Sequence, residues 1–243
     1  MNTKRILSGF VISLFFFLNG LAQTADEIIQ KNIDATGGKS NWETIKTMKV
    51  TGYVGMGGMD FAITQYTKAP DKSLLEIIIQ GMTMKQGYDG TTGWMINPMM
   101  GSKKPEKVDD ETAIEFKERG NIGGRLMNYK DEGTTAELLG KEDLEGTEVF
   151  KIKLTEKSGK VINYFFDTKN YMVLKEKQIV KRNGKEYNTE TTMSNYKTVN
   201  NVQMPYTMEI NTEGSQIGSQ TVTLDKIEMN VDIDDNIFKM PAE

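Results

Sequence analysis

The stretch KQGYDGTTGWMINPMM, Lys85 to Met100, decides how the rest of the chain is read. A strand end runs into a tight turn at Asp89-Gly90, and a second short strand follows carrying Trp94 and Ile96. Asp-Gly between apolar runs is a hairpin signal, because glycine accepts the positive φ such turns require. Pro98, Met99 and Met100 close the unit. A large aromatic flanked by soft methionines is either a core hairpin or the wall of an apolar pocket, and composition does not choose between them.

Outward from this hairpin the dominant period is two. Met48, Val50 and Val54 alternate with Lys49, Thr51 and Tyr53, and Met59, Phe61 and Ile63 form one face of the next strand. Leu74 to Met84 is apolar on both faces and broken by Gly81, as two strands or one bent strand. Downstream, Phe150, Ile152 and Leu154 alternate with Lys151, Lys153 and Thr155, and turns at Ser158-Gly159, Asp167 to Asn170 and Asn183-Gly184 separate further strands. The polar strand Glu186 to Tyr196 reads as an edge. Val202, Met204, Tyr206, Met208 and Ile210 share one face, with Pro205 marking an edge or a bulge. The last strand changes face between Leu224 and Ile227, as a bulge would make it do.

Helical spacing occurs in two places. Thr24-Ala25-Asp26-Glu27 opens a helix carrying Ile28, Ile29 and Ile33, which Gly37-Gly38 stops. After a polar loop over 101–108, Asp109-Asp110-Glu111 starts an amphipathic helix with Ile114 and Phe116 on one side; glycines at 120, 123 and 124 precede a second piece, Arg125 to Tyr129. Two glycine-joined helices inside an all-β pattern either cover one end of a sheet or simply pack on it. The expected fold is mainly β (α+β): about ten or eleven strands in a single curved antiparallel sheet, an incomplete β-barrel with an N-terminal helix and a helical lid or plug.

The chain has 243 residues, no cysteine and no histidine. Lys4 and Arg5 precede an apolar run, Ile6 to Leu18, with Gly20 and Ala22 ahead of Gln23. That is the pattern of a secretory signal peptide over residues 1–22, and the run is shorter than the roughly 20 residues a bilayer span requires. The mature chain, 23–243, is expected to be one domain, exported to the periplasm, soluble, monomeric and, lacking cysteine, not lipid-anchored. Its charge, −4 for the whole chain, is spread over both signs with no basic stripe, which excludes nucleic acid as a partner. Without histidine the usual general base and the Ser-His and Cys-His systems are gone.

Other chemistry is weakly signalled. The glycines at 52, 55, 57 and 58 run into a strand, whereas a phosphate loop opens a helix. Asp232, Asp234, Asn236 and Glu243 echo a calcium loop but place Ile237 where that loop needs glycine. A hydrolase working through carboxylates requires paired acids on an apolar face, and the strand patterns point the acids outward. No catalytic residue, metal or cofactor is assigned.

The order of features resembles the LolA/LolB-like lipoprotein-carrier superfamily, in particular its exported outer-membrane lipoprotein-sorting branch. The resemblance rests on IIQKNIDATGGKSNWETIKTMKVTG from Ile28, KAPDK from Lys68, YDGTTGWMINP from Tyr88 and the closing Phe238-Lys239-Met240-Pro241. It implies a curved sheet holding acyl chains on its concave side, helices as a lid, and a carrier that does no chemistry. By position, Trp94, Ile96, Met99 and Met100 match the hairpin at the barrel mouth, and the helices from Asp110 to Tyr129 match the lid. The family's lid-tying arginine has no counterpart after an early strand; Arg119, Arg125 and Arg182 are the mature chain's only arginines.

Sixteen methionines, all but Met1 in the mature chain, suit an adaptable apolar surface as well as an irregular core. The candidate cavity and lid residues are Met48, Met59, Phe61, Ile77, Ile79, Trp94, Ile96, Met99, Met100, Ile114, Phe116, Leu126, Met172, Met204 and Met208. The expected cargo is lipid or acylated protein, handled together with an inner- or outer-membrane loading or receiving protein. The rival reading is a cell-envelope protein-interaction module that keeps the fold without lipid.

Overall fold

The computed structural model describes residues 23–182, 184–214 and 218–242, with backbone alone at Met100, Ser102 and Arg182. The leader expected over 1–22 and Asn183 of the expected hairpin turn lie outside the described residues, as does Glu243.

Helix α1 (Ala25–Ala35) is capped as its sequence dictates: Thr24 Oγ1 accepts from Glu27 N at 3.2 Å, and Glu27 Oε2 accepts in turn from Thr24 N at 3.0 Å. After α2 (Lys39–Glu43) come β1 (Thr47–Met56), β2 (Met59–Lys68), β3 (Lys72–Ile79), β4 (Met82–Tyr88), β5 (Gly93–Asn97), a 3-10 turn at Pro98–Met100, and β6 (Ser102–Lys107). Helix α3 (Asp110–Arg119) follows. Then come β7 (Thr135–Leu144), β8 (Thr147–Thr155), β9 (Val161–Asp167), β10 (Val173–Arg182), β11 (Lys185–Val199), β12 (Val202–Thr212) and β13 (Gln220–Met229).

All thirteen strands form one sheet in the order β6-β5-β4-β3-β2-β1-β13-β12-β11-β10-β9-β8-β7, antiparallel at every join and not closed into a barrel. Two meanders are thus sewn together in the middle by β1 and β13. The edges are β6 and β7, so the chain between Lys107 and Thr135 must travel from one edge to the other. It does so across one face. On that face α3 packs on β3, β4 and β5 and also reaches β10, six strands away from β3. A flat sheet would separate β3 from β10 by about 29 Å, whereas a ten-residue helix is about 15 Å long. The sheet therefore curls around α3, and this side is its concave, inner face.

Several expectations change in detail. The polar stretch 101–108, expected as a loop, contains β6; an edge strand needs only one paired side and tolerates Pro105 and a row of lysines. The polar β11, read as an edge, lies between β10 and β12, held by ladder bonds on both sides. Arg125 to Tyr129 forms turns, not a helix. Pro205, expected to mark an edge or a bulge, sits in an interior strand opposite Tyr196 in unshifted register, beside Asn195 in a left-handed conformation (φ 54°). The face change in β13 is a register shift against Thr51/Gly52.

On the inner face α1 buries Ile28, Ile29 and Ile33 against Phe150, Ile152, Leu154, Ile162 and Phe166. Met48, Val50, Leu224, Ile227 and Met229 form a second inner cluster. On the outer face the C-terminal segment covers Leu74 and Trp94 with Ile233 and Phe238.

Asp235 pins that segment down, its carboxylate 2.5 Å from Lys68 Nζ and 2.8 Å from Lys72 Nζ. The bonds from Lys68, then Lys72, hold its pKa down to about 2 from an ordinary 3.8. A carboxyl with a depressed folded pKa stabilises the fold above its unfolded pKa and loses that contribution as pH falls. The thermal midpoint followed by circular dichroism is expected to drop between about pH 4 and 2, and less steeply in Asp235→Asn. Parallel pH profiles for the two proteins would count against this latch.

Candidate functional site

Ladder register assigns the inner face strand by strand. Val54 pairs with Phe61, Gly52 with Ile63, Ile63 with Ile77, Ile77 with Met84, Ile79 with Met82, and Gln86 with Met95. Successive side chains alternate between faces, so Met56, Met59, Phe61, Ile63, Ile77, Ile79, Met82, Met84 and Met95 all point inward. Val222 and Met208 extend this surface across β13 and β12.

Cover over this surface is uneven. Towards the β2–β3 and β4–β5 turns, α3 lies directly on the sheet: Ser73 Oγ donates to the Phe116 carbonyl at 2.5 Å, and Ser73 and Phe116 are both buried. Gly120 approaches so closely that a Cβ there would lie 2.0 Å from Asp71 O. Towards the other end cover is lost. Phe61, Ile77, Ile79, Met84 and Met95 are half-buried, and Met59 and Met82 are 55% and 36% exposed. An apolar strip rich in methionine thus lies open inside the curve.

The crossing segment is fastened at its far end by charge. Arg125 donates to Glu118 of α3 and lies 3.3 Å from Glu156; Lys160 Nζ bonds the same Glu118 at 3.0 Å. Burial opposes charge on Arg125, but Tyr164, Glu118, Glu176 and Glu156 outweigh it and raise its pKa. Burial also pushes the Glu176 carboxyl up, with Arg125 and Lys160 opposing. Arg125→Lys keeps the charge and loses the planar fork. It is expected to cost about 1.5–3 kcal/mol in urea unfolding; an unchanged midpoint would mean that the network does not hold the segment.

The candidate residues are distributed as follows. Met59, Phe61, Ile77 and Ile79 lie on the open strip, and Met204 and Met208 are half-buried against the second inner cluster. Met48, Phe116 and Met172 are buried, and Leu126 packs against the α1 cluster. Ile114 and Met99 are exposed, and the side chain of Met100 lies outside the described residues. Trp94 and Ile96 differ from the expected mouth position. The alternation that carries Met95 inward carries them to the outer face, where Trp94 is 1% exposed and its Nε1 donates to Phe238 O at 2.7 Å. There Ile96 packs against the Trp94 cluster, and Trp94 borders a cleft of about 450 Å³ under the C-terminal segment. Met56, Met82, Met84 and Met95 were missed. The break at Gln80-Gly81 was the available signal, because a two-residue turn sets Met82 and Met84 opposite Ile79 and Ile77.

Among the described residues no helix is long and apolar enough to cross a membrane. Similarity to known proteins lies mainly in the fold. A DUF1329 family protein from Desulfovibrio piger superposes with a TM-score of 0.60 at 12% identity, covering 90% of this chain and 98% of that one. A LolA superfamily protein from Nitrosomonas europaea gives 0.58 at 13% identity over 90% and 98%. A Vibrio parahaemolyticus domain described as an outer membrane lipoprotein-sorting protein gives 0.54 at 16% identity over 88% and 95%. No curated protein matches the sequence. A family model described as "Uncharacterized protein" matches residues 120–242, just over half of the chain. With its open, curled thirteen-stranded sheet, the chain has the LolA-like fold and belongs to the family that this model defines.

Proposed function

We propose that the protein is an exported carrier that shields an acyl chain, of a lipid or of an acylated protein, on the inner face of its sheet. The observation that carries this reading is the open strip of Phe61, Ile77, Ile79, Met82, Met84 and Met95, apolar and half-covered on the concave side of a carrier-like fold. Each methylene moved from water onto such a surface gains about 0.8 kcal/mol, so a chain of ordinary length is held without a polar anchor. Methionine suits the task because its flexible thioether adapts to guests of different shape. The work is solvation, not bond making. A membrane-bound loading or receiving protein completes the cycle, and the carrier acts as a monomer in the periplasm after removal of its leader.

The test is uptake. Protein stripped of lipid is titrated with a fluorescent fatty acid, and protein purified from its host envelope is weighed by native mass spectrometry. Saturable binding and a co-purifying acyl mass are expected. A protein that takes up no fatty acid, phospholipid or lipopeptide is no carrier. The protein-interaction module then becomes the better reading, favoured by the way α1, Met127 and Tyr129 already fill the β8–β10 half of the inner face.

A further inference from the structure

Exposed apolar side chains are concentrated at one end of the β1–β6 half of the sheet. The β1–β2, β3–β4 and β5–β6 connections all turn at that end, because each pair is antiparallel and consecutive. Their tips carry Met59, Ile78 (49% exposed), Met82 and Met99 (48% exposed). The turns at the opposite end, Ala69-Pro70-Asp71 and Asp89 to Thr92, carry no large apolar side chain, and α3 and Asp235 lie against the first of them. Other exposed apolar side chains, such as Ile114, Leu139 and Ile179, stand singly elsewhere, whereas four gathered on one rim mark an interaction surface.

We infer that this rim docks on a bilayer surface bearing anionic headgroups, and the inference rests on the carrier reading above. Three hairpins across six strands present their apolar groups as separate points along a line about 24 Å long. Isolated tips can sink into the headgroup and acyl boundary, whereas a protein partner requires a contiguous, complementary face. Charge agrees: β6 leaves the rim with Lys103 exposed beside Lys104, against a single exposed acid, Asp60, next to Met59, and Lys107 lies further along the same edge strand. Continuity also agrees. Met59 and Met82 belong both to the rim and to the open strip, so an acyl chain leaving the bilayer meets the groove without crossing water.

The experiment follows transfer of a fluorescent fatty acid from the mature protein to vesicles of phosphatidylcholine, with or without phosphatidylglycerol. Flotation of the empty protein with the same vesicles is measured in parallel. The transfer rate is expected to rise with vesicle concentration and with phosphatidylglycerol content. In Ile78→Asp and in Lys103→Glu it should fall about tenfold. Uptake from solution should stay unchanged in both, because Ile78 faces outward and Lys103 lies on the edge strand. A rate independent of vesicle concentration and lipid charge, together with no flotation, overturns the docking surface; flotation only when the vesicles contain envelope protein does so too. The two readings fail separately. Flotation without fatty-acid uptake sinks the carrier and supports the rim, whereas uptake without flotation does the reverse.

Discussion

Met84→Glu is expected to weaken fatty-acid binding about a hundredfold while leaving the protein folded. Met84 lies opposite Ile77 in the ladder, near the centre of the open strip, with Met95 on the neighbouring strand. A carboxylate there stays hydrated in the empty groove, so the fold bears little of its cost. Once an acyl chain lies over the strip that water must leave. Burying an uncompensated polar group costs about 1–3 kcal/mol in proteins, more for a charge, and 2.7 kcal/mol corresponds to about a hundredfold in affinity. Met84→Leu, similar in volume and apolar, should bind nearly as well as wild type. Titration with a fluorescent fatty acid, alongside circular dichroism, reads both effects. Equal affinity in wild type and the glutamate variant would place the guest elsewhere.

Trp94→Ala is expected to cost about 3–5 kcal/mol of stability, the range for emptying a buried aromatic site, and to leave uptake intact in whatever protein remains folded. The ring is 1% exposed, packs among Leu74, Ile233 and Phe238, and bonds the Phe238 carbonyl. Space for it exists because residue 87 on the adjoining strand is glycine: a Cβ there would lie 2.3 Å from the ring. Trp94→Phe keeps most of the volume but leaves that carbonyl without its donor, for about 1–3 kcal/mol. Urea unfolding separates the two. A fatty-acid affinity that fell in Trp94→Phe without loss of stability would return the tryptophan to the groove.

Much of the fold could be read in advance because alternation and turn chemistry are local. The capped first helix, the break at Gly81, the bulge in β13 and the shared face of Met204, Tyr206 and Met208 all follow from neighbouring residues. The site was less legible, since it depends on which face of each strand is inner. On β5 the choice between Trp94 and Met95 turns on one residue of parity, and the size of the Trp94 ring does not say which face it takes. Gly87 was the clue, a missing side chain opposite a large one. β6 was hidden because edge strands carry little apolar pattern, and β11 misled because hydrogen bonds on both sides let it be polar throughout. Arg125 lies in the lid stretch, but its partner Glu156, and Lys160 which shares Glu118 with it, come from the β8–β9 connection, which no spacing links to it.

The edge-to-edge crossing has one more consequence. A covalent segment of fixed length runs from β6 to β7 over the inside of the curve, fastened to Asp71 and Ser73 near one edge and to Glu156 and Lys160 near the other. It acts as the string of a bow whose limbs are the two meanders. The bend of the sheet, and with it the room on its inner face, is then set by how many residues lie between Lys107 and Thr135.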